Sequence, residues 1–182
     1  MERVPREAFV PAGLRDRAYE DEALPLPAGQ TVSQPYVVAF ICQGLALRGP
    51  ERVLDVGTGS GYQAAVLAEL AAEVHSIERI PELAEGARAA LAAAGYERVT
   101  VHVGDGTLGV PAHAPYDGIA VAAASADVPA ALRSSARAGG WSFRLVAVPF
   151  RSSRCSSALR RACVSSRRCP CVSCRCSPAS RW

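Results

Sequence analysis

Val53-Leu54-Asp55-Val56-Gly57-Thr58-Gly59-Ser60-Gly61-Tyr62 is the stretch on which the reading of this 182-residue chain turns. The apolar residues on either side of Asp55 predict a buried strand, and glycine at 57, 59 and 61 predicts a tight turn. Tyr62 to Leu70 continues as a helix. A strand, a glycine turn and a helix in this order bring main-chain N–H groups up to a ligand at a helix N-terminus. The spacing then selects the ligand. A dinucleotide fingerprint needs glycine at 57, 59 and 62, and position 62 is Tyr62, whose ring stands where a pyrophosphate requires close backbone approach. G-x-G-x-G suits a ligand without phosphates, such as S-adenosylmethionine, with its carboxylate and ribose against the loop. A Walker lysine is excluded, because all 20 basic residues are arginines. The competing reading is a glycine turn that only packs a strand against a helix.

On the N-terminal side, Pro35 is placed to open a helix running to about Leu47, with Cys42 in its apolar pattern as a buried, inert thiol. Residues 1–30, rich in proline and charge, predict an irregular arm with one short helix. On the C-terminal side, Val74–Ile77 reads as a second strand ending at Glu78, and Pro81 opens a helix that Gly95 closes. Val99–Val103 alternates as a third strand running into Gly104-Asp105-Gly106, and Gly118–Ala122 is a fourth. The alternation predicts a doubly wound, mostly parallel α/β sheet with its ligands at the strand C-terminal ends. Three features end strands at that edge: the glycine loop, Glu78 and Asp105. Glu78 lies 21 residues after Gly57, where a carboxylate can accept both ribose hydroxyls, and Asp105 can accept from an adenine amino group. A solvated loop carboxylate is the ordinary fate of either residue alone.

The composition allows one α/β domain with a sizeable core. The N-terminus has no apolar h-region and no apolar run approaches a membrane span, so a cytoplasmic protein is expected. The net charge of +3 conceals two halves. Residues 1–127 hold nine arginines against all 17 acidic residues; residues 128–182 hold eleven arginines, no acid and six of the seven cysteines. No histidine–serine–acid set is evident. His75, His102 and His113 read as strand or loop residues, and no metal site is expected.

GQTVSQPY (Gly29–Tyr36), VLDVGTGSGYQAAVLA (Val53–Ala68), SIER (Ser76–Arg79) and GDG (Gly104–Gly106) resemble the protein-L-isoaspartate O-methyltransferase family. So do VPREAFVP (Val4–Pro11) and Ala18-Tyr19, and the similarity covers about residues 1–132. The resemblance implies a Rossmann-like class I methyltransferase. Its implied reaction carries a methyl group from S-adenosylmethionine to the α-carboxyl of L-isoaspartyl residues in damaged proteins. It assigns Gly57, Gly59, Gly61, Glu78 and Asp105 to the cofactor, with Asp55 and Gly106 beside them. It assigns Ser33 to the catalytic centre, and Thr31, Val32, Gln34 and Pro35 to the substrate. It further implies a monomer whose partners are isoaspartyl proteins, with no nucleic acid and no membrane. One stretch departs: Val121–Pro129 lacks the threonine of the family's VTAAAPEIP-like segment, which affects substrate contacts there. From chemistry alone Ser33 has two roles open, orienting a carboxylate or capping the helix that Pro35 begins. Another class I methyltransferase, or a family fragment without turnover, are the competing functions.

From Arg133 the text changes to arginine, serine and cysteine, ending in Cys169-Pro170-Cys171-Val172-Ser173-Cys174-Arg175-Cys176. A zinc site normally separates its cysteine pairs with a loop. Nucleic-acid binding lacks interleaved aromatics in 151–181. A reading-frame shift accounts for more. Trp141–Ala147, back-translated with suitable codons and read one base earlier, gives Val-Val-Val-Pro-Val-Gly, which resembles the strand the family carries here. The expectation is therefore a methyltransferase domain over 1–132 that lacks its native last strands, followed by a disordered tail over 133–182.

Overall fold

The computed structural model describes residues 1–122, 129–136 and 144–147, the last by backbone alone. The first compact unit, Met1–Val148, contains all of them. The expected disorder of 151–182 and most of the departing Val121–Pro129 stretch lie outside the described residues.

A two-stranded antiparallel ribbon, β1 (Leu24–Pro25) and β2 (Thr31–Val32), precedes helix α1 (Pro35–Leu45). The main sheet follows: β3 (Arg52–Val56), α2 (Tyr62–Ala68), β4 (Glu73–Glu78), α3 (Pro81–Ala93), β5 (Val99–Val103), β6 (Gly118–Val121), α4 (Ala130–Ser134) and β7 (Arg144–Ala147). Its five strands are all parallel, in the order β5-β4-β3-β6-β7. Winding outward from β3 through β4 to β5, then returning to the other side of β3, makes the gap between β3 and β6 the switch point, where ligands gather in such sheets. The four strands and three helices expected from the sequence are present within a few residues of their expected ends.

Strand parity divides the core. Val53, Val74, Val101 and Ala120 face α1, α2 and α3, and Leu54, Val56, Ile77, Ile119 and Val121 face Val110, Tyr116 and the α4 residue Leu132. All seven residues of α2 are buried, because it packs on β3, β4 and β5 of the sheet with α1 and the arm's Phe9 also against it. A surface helix would show a polar stripe; this one has only Gln63, which is used internally.

The N-terminal arm departs from expectation in its packing. Its backbone is irregular, with 3-10 turns at Arg6–Phe9 and Ala12–Arg17. Val4, Phe9, Val10, Ala18 and Leu24 are nonetheless buried in the helical-face core, and the Phe9 ring lies 5.9 Å from that of Tyr62. Proline-rich backbone without regular structure still buries apolar side chains when their carbonyls find a donor. Here the donor is Arg6, wholly buried, which gives Nε–H to the Ala18 carbonyl at 2.6 Å. Cys42 is buried as expected, and burial raises its thiol to about 12.

The boundary expected at residue 132 falls inside α4, and beyond it the backbone of Arg144–Ala147 forms β7, paired in parallel with Gly118–Val121. Leu145, Val146 and Ala147 have the apolar run a buried parallel strand needs, in the frame as written. The sheet therefore has one more strand than the four read from the sequence.

Candidate active site

The C-terminal ends of β3, β4 and β5 meet as the sequence order requires. The Gly57 and Thr58 amides both donate to the Ile77 carbonyl, at 2.9 and 3.3 Å, so the loop leaves β3 by folding against the end of β4. Gly57, Gly59 and Gly61 all have positive φ. At Gly61 the need for glycine is double: φ is +89°, and an added Cβ would lie 3.2 Å from Leu91 Cγ and 3.4 Å from Ala87 Cβ. Loop and α3 pack there with no room for a side chain.

Glu78 closes the loop. Its carboxylate accepts from the Gly59 amide at 2.9 Å and from the Ile80 amide at 3.1 Å. The Gly104 amide donates to the Glu78 carbonyl at 2.9 Å, which sets Asp105 beside it. Asp105 is exposed, and its Oδ1 accepts from the Thr107 amide and hydroxyl at 2.9 and 2.8 Å. Those two bonds hold its carboxyl below the ordinary range, so it is ionised. Gly106 follows with its Cα hydrogen against β3, since a Cβ would come within 2.7 Å of Val56 Cγ1.

Asp55 sits beneath this surface. It is fully buried, accepting from Gln63 Nε2 at 2.7 Å and from the Ser76 hydroxyl at 2.8 Å, and Ser76 shares a 2.6 Å bond with Thr58. Burial raises its carboxyl to about 6 despite the two donors. Expected among the cofactor contacts, Asp55 instead ties the first turn of α2 and the loop residue Thr58 to the sheet.

The GQTVSQPY segment lies against the same loop. A Cβ on Gly59 would meet the Thr31 carbonyl at 4.0 Å and Leu26 Cδ1 at 3.8 Å. Thr31 is exposed, Val32 is buried, and Ser33, Gln34 and Pro35 are half-buried on the way into α1. Arg6 reaches this segment too, donating from Nη2 to the Ser33 carbonyl at 2.8 Å, with its guanidinium 4.6 Å from the Tyr62 ring centre. The N-cap of α1 is Gln34, whose side chain makes no cap bond, and the first-turn amide of Tyr36 donates instead to Asp21 Oδ1 at 2.9 Å. The cap role open to Ser33 is therefore not made.

A family model for protein-L-isoaspartate(D-aspartate) O-methyltransferase (PCMT) matches residues 1–160. The chain belongs to this family. The match runs past the limit of similarity expected at about residue 132. Protein-L-isoaspartate O-methyltransferase 2 of Marinobacter nauticus is 61% identical over 140 residues, covering 77% of this chain and 64% of that protein. The protein-L-isoaspartate O-methyltransferase of Methanoculleus marisnigri is 54% identical over 147 residues, 81% of this chain and 66% of that one. The chain thus spans just under two thirds of the length of these relatives. A solved protein-L-isoaspartate O-methyltransferase is 32% identical with a TM-score of 0.67, covering 75% of this chain and 46% of that structure. A Plasmodium falciparum PCMT structure in complex with S-adenosyl-L-homocysteine is 18% identical, with a TM-score of 0.63 over 84% of this chain and 75% of its own, and shows the fold alone. The shared fold is that of class I S-adenosylmethionine-dependent methyltransferases.

The donor and acceptor set suits an adenosine bearing a carboxylate and an amine. Glu78 keeps lone pairs beyond its two backbone bonds, the exposed Asp105 has Oδ2 beside its occupied Oδ1, and the glycine loop presents backbone without side chains. No charged residue sits in the loop to demand a phosphate.

The structure also brings together three residues that the sequence left separate. His75 on β4, His102 on β5 and His113 in the turn Pro111–His113 have ring nitrogens all within 4.8 Å of one another. The signal was present in part: His75 and His102 have the parity of one sheet face. Which strand neighbours which could not be read from parity.

Proposed function

We propose that this chain is a protein-L-isoaspartate O-methyltransferase. It transfers a methyl group from S-adenosylmethionine to the α-carboxyl of L-isoaspartyl residues in damaged proteins. One observation carries the reading: the Thr31–Pro35 segment abuts the glycine loop, so a substrate held by the first meets a cofactor held by the second. Gly57, Gly59 and Gly61 give the cofactor backbone to lie on, Glu78 accepts from its ribose, and Asp105 with Gly106 receives the adenine. Asp55 acts from below by holding Gln63 directly and Thr58 through the Ser76 hydroxyl. When bound, S-adenosylmethionine supplies a methyl group activated by a positively charged sulfur.

The chain's residues have little proton chemistry to perform. A substrate carboxylate, with an ordinary pKa of about 4, is already ionised at neutral pH and needs no strong base. What remains is placement and exclusion of water. The Ser33 hydroxyl, free of a capping role, donates to the carboxylate and aims one oxygen, while Thr31, Val32, Gln34 and Pro35 line the substrate side. Arg6 keeps the Ser33 backbone in place. This reading includes a cytoplasmic monomer, as expected from the sequence; among the described residues, no helix is long and apolar enough to cross a membrane.

The test is methyl transfer to a peptide containing L-isoaspartate, against the same peptide with ordinary aspartate, alongside calorimetry with S-adenosylhomocysteine and NAD. Methylation of the isoaspartyl peptide only, with no NAD binding, is the expected result. Binding of S-adenosylhomocysteine without transfer would leave a family fragment without turnover, and transfer to neither peptide but to a small molecule would favour another class I methyltransferase.

A further inference from the structure

The three histidines lie on the opposite face of the sheet from Asp55 and Glu78. His75 is in register with Leu54 of β3, and His102 with Ile77 of β4, so both rings belong to the Leu54–Ile77 face. They are diagonal neighbours on adjacent strands, close enough for long side chains to meet. His75 Nδ1 is 3.1 Å from His102 Nε2. The ring of His113 stacks on His75 with centroids 4.2 Å apart and lies 5.1 Å from His102. The His75–His102 contact is the one ring-to-ring hydrogen bond of the cluster among the described residues, and His113 meets the pair by stacking.

We propose that His75, His102 and His113 form a three-imidazole site for a divalent transition metal, zinc foremost. Two nitrogens on one tetrahedral zinc, each with a bond of about 2.0–2.1 Å, stand roughly 3.3 Å apart. The His75–His102 separation already has that value to within a few tenths. His113 is the ligand that moves, its nitrogen closing from within 4.8 Å of the other two to the roughly 3.3 Å of a shared zinc.

The surroundings have the form that metal-bound histidine requires. A ligating imidazole hands its other N–H to a carboxylate, which fixes the tautomer. His75 Nε2 lies 2.8 Å from Glu73 Oε1, which makes it the donor and leaves Nδ1 bare toward His102. Glu73 is held in turn by Arg52 Nε at 2.6 Å, and Arg52 Nη1 reaches the His113 carbonyl at 3.4 Å. One arginine thus positions both the carboxylate behind the first ligand and the backbone of the third. His75 is buried, while His102 and His113 are half-buried, which leaves an ion a path in. Soft thiolate is absent from the cluster, so the donor set suits zinc, nickel or copper rather than a magnesium-like ion. A bound ion would pin the β5–β6 crossover, which carries Asp105 at one end and His113 at the other, to the centre of the sheet.

The test uses the full chain and zinc alone, by equilibrium dialysis and thermal melting, with parallel cobalt spectra. The six cysteines beyond residue 150 are a second zinc binder in principle, so the chain is also prepared with all six changed to serine. Expected are one zinc per cysteine-substituted chain, a rise in melting temperature, and affinity reduced at least tenfold by His102→Ala and by His113→Ala separately. In the unsubstituted chain, cobalt absorption that lacks thiolate charge-transfer bands and fades in His102→Ala supports the site without requiring the cysteine variant to fold. Zinc uptake unaffected by either histidine change, cobalt bands of thiolate origin only, or no stoichiometric uptake would each overturn it.

Discussion

The Glu78 carboxylate accepts the Gly59 amide at 2.9 Å from across the cofactor edge of the sheet. Asp105, the other acidic residue proposed for the cofactor, is exposed and makes only a local turn with Thr107. The two carboxylates therefore differ in what their loss does. Glu78→Ala is expected to lower the melting temperature and to weaken S-adenosylhomocysteine by roughly 1–3 kcal/mol, since the half-buried Gly59 and Ile80 amides and the ribose hydroxyls lose their acceptor together. Asp105→Ala should weaken the same ligand while leaving the melt nearly unchanged. Calorimetric titration beside thermal melts of both variants reads the contrast, and equal loss of stability in the two would refute it.

Ser33→Ala separates orientation from folding. Ser33 does not cap α1, whose first-turn Tyr36 amide is taken by Asp21, so the roughly 1 kcal/mol that a lost cap costs is not expected here. Single-turnover methyl transfer should slow, with melting temperature and cofactor affinity held. A destabilised variant with normal turnover would return Ser33 to a structural role.

Arg6 has wider reach. It is wholly buried, bonds to the carbonyls of Ala18 and Ser33, and faces the Tyr62 ring. Arg6→Met keeps the volume and strands two carbonyls, for a loss of about 2–4 kcal/mol in urea unfolding. Turnover measured well below the melting temperature should fall as well, because the Ser33 backbone is released. A variant that unfolds as readily as the unsubstituted protein would show that water satisfies those carbonyls.

Asp55 makes a prediction in pH. Its carboxyl in the folded chain is raised to about 6, whereas the unfolded group titrates near its ordinary value of 3.8. Between those two values the folded state holds the proton more tightly, so this group's contribution falls as pH rises from about 4 to 6 and is level above. Asp55→Asn removes the titration, and the amide of Gln63, whose Oε1 has no partner among the described residues, can turn to accept from the new side chain. The stability of Asp55→Asn relative to the unsubstituted chain should rise by about 2–3 kcal/mol between pH 4 and 7. A flat difference would mean that Asp55 is not buried as described.

What the sequence made legible was local. Gly57, Gly59 and Gly61 act within five residues of one another, and Glu78 and Asp105 follow strands whose apolar pattern ends beside them. What it hid depended on distant partners. Phe9 and Val4 read as parts of an irregular arm because the α2 surface that covers them lies more than fifty residues away. Asp55 read as a cofactor contact because its burial under Gln63 and Ser76 is a property of the packed sheet. The meeting of His75, His102 and His113 required the order of strands, and β7 lay in a composition, beyond residue 132, that looked foreign to the fold.

The place of β3 at the centre of the sheet has a consequence for how the chain acquires its structure. β3 is the first strand of the sheet to be synthesised, and β6, which pairs with it from Val53↔Gly118 onward, comes some sixty residues later. Until residue 121 has emerged, β3 keeps one open edge, and the Val4–Phe9 arm lacks the Ala120 wall of its own core. Such long-range pairing slows folding and leaves an exposed strand edge in the meantime. The nascent chain therefore holds the central strand of its sheet with one edge unpaired while the residues from β3 to β6 are made, and the switch point between those two strands closes only when Gly118–Val121 arrives.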